Sequence, residues 1–155
     1  MARRIARNRT VDRETLVEFL RPRHRAVLIT RRSGNRLQSS PVACGVDPEG
    51  RLVVSTYPER AKAVNLRRDR RATALVLSDD FDDPWVQIDC EAEVLDLPEA
   101  LDPLVEYYRS IAGEHPDWDE YRRAMLAQGK SLIRLSVLTW GPIAVGGFPA
   151  GLADD

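Results

Sequence analysis

Residues 55–71 read STYPERAKAVNLRRDRR, in which a polar strand end runs through a proline into a short helix crowded with cations. Between Arg60 and Arg71 stand five arginines and one lysine against a single acid, Asp69, although the formal net charge of the whole chain is only -1. The positive charge is therefore local. Pro58 suits the first turn of a helix, where its missing N–H has no partner to lose, and the amides that follow are free to meet an anion with the helix dipole behind them. Arg67, Arg68, Arg70 and Arg71 also have a plainer reading, since the same dipole favours cations at a solvated helix C-terminus. Arg60 and Lys62 fall at the positive end, where a cation is mildly unfavourable unless an anionic partner offsets it. A phosphate would be such a partner.

Working outward, the stretch is fed by strands. Asp12 caps a helix through about Arg21 whose Leu16, Phe19 and Leu20 share a face, and Pro22 ends it. His24 to Arg32 contains the β-rich run AVLIT, the turn residues Ser33-Gly34-Asn35 follow, and Arg36 to Val46 is extended again. Asp47-Pro48-Glu49-Gly50 is a turn leading to a third strand, Arg51 to Thr56. Beyond the cationic helix, Ala72 to Ser78 is an apolar strand and DDFDDP a polar loop. Trp85 to Leu95 alternates, with Val86, Ile88, Cys90, Ala92 and Val94 on one face. Pro98 opens a helix carrying Leu101, Leu104, Val105, Tyr108 and Ile111. Asp117 and Glu120 resemble a capping box for a second helix, stopped by Gly129. A last strand, Ser131 to Thr139, leads to Trp140-Gly141-Pro142 and a Gly-rich tail. Six strands with a helix inserted in mid-sheet and a helical pair before the last strand predict a mainly β, α+β fold. A small closed antiparallel barrel would leave no exposed edges.

Composition limits the function classes. At 155 residues, 43% hydrophobic and 30% charged, the chain reads as a single domain over 1–155, with a polar arm at 1–9 and a flexible tail at 143–155. The first nine residues hold four arginines but no apolar signal core, and no stretch approaches the roughly 20 apolar residues of a membrane span, so a cytoplasmic protein is expected. Cys44 and Cys90 are isolated, and His24 and His115 have no partners at metal-ligand spacing. No metal site is expected, and all four read as structural or surface residues. Near-neutral charge, interspersed acids and the lack of an aromatic stacking motif argue against nucleic acid as the partner of the RRDRR run.

The stretches RLQSSPVACGVDPEGRLVVS, PERAKAVNLRRDRRA and YYRSIAGEHPDWDEYRRAM together resemble the split β-barrel flavin and deazaflavin oxidoreductases related to pyridoxamine 5'-phosphate oxidase. The likeness is greatest to the branch that uses coenzyme F420 (FDOR-B type). IAGEHPDWDEY is the most specific of these motifs, having no generic structural reason to recur. The resemblance implies a homodimer of six-stranded split barrels with two coenzyme sites between the subunits. It implies an F420-dependent oxidoreductase passing a hydride between the 8-hydroxy-5-deazaflavin and a small organic acceptor such as an activated C=C bond. Carried over by position, it puts Arg60 and Lys62 on the coenzyme phosphate and acidic tail, with Asn65 close by and Ser55 and Thr56 beneath the ribityl chain. Arg67, Arg68 and Arg71 could also serve the tail. Gln38, Ser40 and Pro41 would lie along the ring edge, their main-chain groups meeting its pyrimidine end, and Trp85 and Trp140 could wall the pocket. Cys90 departs from the glycine common in relatives, which bears on the shape of the ring pocket. No catalytic side chain is named, because such a coenzyme carries the difficult step itself, and nothing distinguishes Tyr57 as a proton donor. The alternatives are an FMN-dependent enzyme like pyridoxamine phosphate oxidase and a non-catalytic F420 carrier.

Overall fold

A computed structural model describes residues 4–152. In chain order the elements are β1 (Arg7–Arg9), α1 (Arg13–Leu20), β2 (Arg25–Arg31), β3 (Leu37–Ala43), β4 (Gly45–Val46), β5 (Leu52–Thr56) and α2 (Ala61–Arg68). There follow β6 (Arg71–Leu77), β7 (Val86–Leu95), α3 (Leu101–Ala112), α4 (Trp118–Gln128), β8 (Ser131–Trp140) and β9 (Ile143–Val145).

The alternation read from the sequence places the core. Val86, Ile88, Cys90 and Ala92 are buried while Gln87, Asp89, Glu91 and Glu93 are exposed, as a strand with one face on a core requires. Seven strands pair antiparallel in the order β3-β2-β6-β7-β8-β5-β4. The two ends of that order, β3 and β4, are consecutive in the chain and separated only by Cys44. Counted as one strand, they close a six-stranded ring, the barrel expected from the sequence. The ring is sealed where β4 pairs with β5, at Gly45↔Val53 and Val46↔Leu52. Along β3 it is split, because β3 pairs with β2 alone. Pro41 lies in β3 opposite Val27 and is tolerated there because its missing N–H faces the unpaired side of an end strand.

The barrel interior is filled by Leu28, Leu52, Val54, Val76, Ile88, Ile133 and Leu135, and α1 plugs it with Leu16 and Leu20. Asp12 caps α1 by accepting from the Thr15 amide at 2.9 Å. The helices α3 and α4 cover the outer face of β5 and β8, where Leu104, Val105 and Tyr121 pack on Val53 and Leu132. β5 and the first part of β8, through Ile133, are thus buried on both faces.

The structure departs from the sequence reading at three places. Both helices expected to open at a proline start later: α2 begins at Ala61 with Arg60 as its cap, and α3 at Leu101 with Ala100 as its cap. Pro58 and Pro98 each sit in the turn before their helix. The half of the capping box that Glu120 would have completed is taken by His115, whose Nδ1 accepts from the Asp117 amide at 2.9 Å, while Asp117 accepts from the Glu120 amide. Finally, part of the tail is not loose: β9 pairs with β1, and Ile143 is 6% exposed in the chain's own core. Residues 1–3 of the polar arm and 153–155 of the tail lie outside the described residues.

Candidate functional site

The cations around α2 divide into two sets. Arg67 bonds Asp96 at 2.7 Å, Arg71 bonds Asp69 at 2.7 Å and Arg70 pairs with Glu91 at 3.2 Å. Arg68 donates to the Arg31 carbonyl at 3.1 Å and to Asn65 Oδ1 at 3.3 Å. These hydrogen bonds hold the Asp69 carboxyl down at about 2, with the Arg71 contact the main cause, and lower that of Asp96 through Arg67 and Ser131. The helix-end arginines expected to help with an acidic tail therefore have partners within the chain, as the plainer reading of a solvated helix end would have it. Arg60 and Lys62 differ. Arg60 is the N-cap and Lys62 the second residue of α2, no side chain caps the helix, and among the described residues neither forms an ion pair. Partial burial lowers the Lys62 ammonium pKa, and the Arg60 charge lowers it further. These are the features of an anion site at a helix start.

Beside it runs a polar chain absent from the sequence reading. Thr30, fully buried, donates to Gln38 Oε1 at 3.2 Å and accepts from Asn65 Nδ2 at 3.0 Å. It ties β3, β2 and α2 together and brings Gln38 and Asn65 into one cluster. Thr30 sits in an otherwise apolar run, so nothing in the sequence marked it. Two further hydroxyls, Ser40 Oγ and Thr56 Oγ1, are buried with no hydrogen-bond partner among the described residues. Ser40 stands opposite Leu28 and Thr56 alternates with Leu52 and Val54, so both face the barrel interior from the two strands that flank the split. Buried hydroxyls of this kind call for an explanation, and with two unpaired cations nearby the donor set fits a ligand bearing anionic and polar groups. Ser55 is half-buried opposite Leu132, and Pro41 is exposed.

The parity of the ladder corrects one assignment. The Cys44 amide bonds the His24 carbonyl and the Arg32 amide the Arg36 carbonyl, so even-numbered residues of this strand spend their main-chain groups on β2. Those of Gln38 and Ser40 are used in this way. The open edge carries instead the groups of Ser39 and Ala43, whose carbonyls accept from Gln38 Nε2 at 3.2 Å and from the Tyr107 hydroxyl at 3.3 Å.

The tryptophans lie elsewhere. Trp85 precedes Val86 at the Arg25 end of β2, roughly 15–20 Å along the strand from Thr30 at about 3.3 Å per residue. It lines a groove of about 430 Å³ with Leu75, Leu77, Phe81 and Gln87. A second groove of about 610 Å³ shares Gln87 and runs along Ile29, Leu37, Thr73 and Leu138. Trp140 is structural: its Nε1 donates to the Val11 carbonyl at 2.9 Å and Arg13 stacks on the ring. Cys90 belongs to the core, where burial pushes its thiol up to about 12. His24 is likewise structural, its Nδ1 2.9 Å from the Cys44 carbonyl.

No helix among the described residues is long and apolar enough to cross a membrane. Solved structures of similar fold include a conserved hypothetical protein from Mycobacterium tuberculosis, at TM-score 0.73 and 20% identity over 90% of this chain and 89% of that one. An F420 reductase aligns at TM-score 0.59 and 15% identity over 79% and 94% of the two chains. A heme storage protein from Vibrio cholerae aligns at 0.62 and 16% over 86% and 96%. At these identities the neighbours share the fold and no more. Residues 13–143, from the start of α1 to the start of β9, match the model of the family described as Pyridoxamine 5'-phosphate oxidase, and it is to that family that this chain belongs.

Proposed function

We propose that the chain is an F420-dependent oxidoreductase that transfers a hydride between the deazaflavin and a small organic acceptor such as an activated C=C bond. One observation carries this reading: in a member of this family, Arg60 and Lys62 stand without acid partners among the described residues at the positive end of α2. That end suits a phosphate followed by a chain of carboxylates, whereas FMN ends at one phosphate. When bound, the reduced deazaflavin supplies hydride from its C5. The protein's part is to hold and orient. Arg60 and Lys62 take the anionic groups, with Asn65 fixing the helix against Thr30. The Thr56 hydroxyl faces the ribityl chain, and Ser55, whose side chain lies on the other face of β5 with Val53, adjoins it only through the main chain. Gln38, Ser40 and Pro41 line the split, where the Ser39 main chain offers the ring its edge contacts. No side chain is assigned a proton-transfer role.

The site is completed by a second copy. The outer face of the barrel presents half-buried Val27, Ile29, Leu75 and Leu77 beside Leu37, Leu138 and Phe81, which are 58%, 57% and 83% exposed. A contiguous apolar face of this kind is expected to be covered. Trp85, too far to reach its own chain's cations, would then wall the site of the other subunit. Titration with F420 and with FMN, followed by tryptophan fluorescence, tests the coenzyme. Tight FMN binding without a response to F420 overturns the reading in favour of an FMN enzyme. Steady-state assay on a panel of enones and quinones separates an enzyme from a carrier. Light scattering at sub-micromolar protein tests the shared site, which a 17.5 kDa species that still binds coenzyme would rule out.

A further inference from the structure

Resting on that reading of the α2 end, the structure assigns a further ligand-binding residue: Lys130, which shares the Tyr57 ring with Arg60, joins Arg60 and Lys62 to hold a second acidic group of a ligand whose phosphate sits at the start of the helix. The placement follows from the register of β5 and β8. Thr56 pairs with Ser131, so the residue after one and the residue before the other, Tyr57 and Lys130, meet at the same end of the barrel. The Lys130 ammonium lies 4.2 Å from the centroid of the Tyr57 ring, and the Arg60 guanidinium carbon lies 5.8 Å from it. Two cations thus flank one ring, with Lys62 close enough to Arg60 to feel its charge, and among the described residues none of the three forms an ion pair. A ring face attracts a cation but does nothing to relieve repulsion between neighbouring cations, and the Lys62 ammonium, lowered mainly by partial burial, is lowered further by the Arg60 charge. An anion relieves that repulsion.

Just inside the barrel at this strand end, Thr56 is 4% exposed and its hydroxyl has no hydrogen-bond partner among the described residues. The main chain of Lys130 is fixed independently, its amide bonding the Met125 carbonyl at 3.3 Å past the helix end at Gly129. Among the described residues the Lys130 ammonium meets only the Tyr57 ring, so it can turn to a ligand with the main-chain joint left in place. Cations that come from two separate chain segments suit a ligand with two spaced acidic groups, a phosphate ester extended by a carboxylate, better than a lone phosphate.

The test compares the wild-type chain with Lys130→Gln and Lys130→Arg. Each is titrated with F420 carrying its oligoglutamate tail and with FMN as the probe that has a phosphate but no further acid. Lys130→Gln should bind tailed F420 roughly tenfold more weakly, the scale of one hydrogen bond to a charged group. It should also show a shallower salt dependence and an unchanged melting temperature. Its FMN affinity should stay within about twofold, and Lys130→Arg should recover binding. An equal effect on both probes, or none on F420, overturns the assignment. If wild-type protein does not bind F420, the coenzyme reading fails separately, and Lys130 is then judged with inorganic tripolyphosphate in a thermal-shift assay. Stabilisation of the wild type that Lys130→Gln loses supports the three-cation site. Equal stabilisation of the two, or stabilisation of neither, refutes it.

Discussion

Replacing Thr30 by valine keeps the shape of a fully buried side chain while deleting the one hydroxyl that joins Gln38 to Asn65. The two former partners do not suffer alike. Gln38 is half-buried at the split and turns to water at little cost. Asn65 is 6% exposed, and its Nδ2 donates to Thr30 alone, at 3.0 Å, so its amide is left buried and unpaired, a penalty of about 1–3 kcal/mol. Taking about 2 kcal/mol, a domain of this length should melt roughly 4–8 °C lower, since each kcal/mol shifts the midpoint by about 2–4 °C at 150–250 residues. Urea denaturation should show a lower midpoint with an unchanged slope. Adding Asn65→Leu to Thr30→Val removes the orphaned amide and should recover part of the loss, because deleting both partners of a buried bond costs less than deleting one. Stability of Thr30→Val within about 0.5 kcal/mol of wild type, or strict additivity of the two changes, would refute the network as described.

Other expectations follow from the same geometry. Gly45, at the sealed end of the ring, has the Ser110 hydroxyl where a Cβ would stand and Ile111 Cγ1 at 3.3 Å, so Gly45→Ala should destabilise by about 1–3 kcal/mol. Ser110→Ala in that background should restore most of the loss, and failure of this rescue in a thermal melt would show that the clash lies elsewhere. Replacing both Arg60 and Lys62 by alanine should weaken F420 binding by about 2–5 kcal/mol with little change in melting temperature, whereas wild-type affinity would make them solvent decoration. The Asp69 carboxyl is depressed by Arg71 to about 2, and that of Asp96 by Arg67 and Ser131. Their stabilisation is complete above the ordinary value of 3.8 and declines as pH falls from there toward about 2. Urea midpoints for Asp69→Asn should therefore fall less steeply below pH 4 than those of the wild type, and identical acid slopes would count against the pairing.

What the sequence disclosed, and what it hid, follows from the range of each signal. Alternation in β7 is a local property of one strand, so Val86, Ile88, Cys90 and Ala92 were recognisable as a buried face before any partner was known. The prolines were ambiguous because a fixed φ serves the turn before a helix as well as its first residue, and Pro58 and Pro98 took the turn. The RRDRR run could not be sorted by composition: Asp96 and Glu91, which engage Arg67 and Arg70, lie on a strand and the turn after it. Lys130 was invisible for the same reason, since only the β5–β8 register brings it to Tyr57. IAGEHPDWDEY, read as free of structural cause, proves to have one. Glu114 accepts from Trp118 Nε1 at 2.9 Å and from Arg109 at 2.7 Å, His115 takes the Asp117 amide, and the rings of Tyr108, His115, Trp118 and Tyr121 pack within 5.7 Å of one another. The motif builds the joint between α3 and α4.

The split in the barrel and the candidate site have a common origin in β3 and β4. At Gly45 the absence of a side chain lets α3 close on the strand through Ser110, and the Tyr107 hydroxyl reaches the Ala43 carbonyl, so the helix pins the ring shut at that end. A few residues back, Pro41 has no N–H to offer across to β5, and pairing along that edge cannot continue toward Leu37. The strands must part there. Ser40 and Thr56 lie on the two strands that flank this opening, and their buried hydroxyls have no hydrogen-bond partner among the described residues. The parting also leaves the Ser39 main chain on the unpaired edge of β3, the strand that Gln38 ties through Thr30 to Asn65 of α2. A sheet that closed fully would spend the main-chain groups of that edge on its own ladder. Changing Pro41 should therefore disturb the ligand before it disturbs the fold, because its role is to keep open an edge that the core, packed on the opposite side of β2, does not depend on.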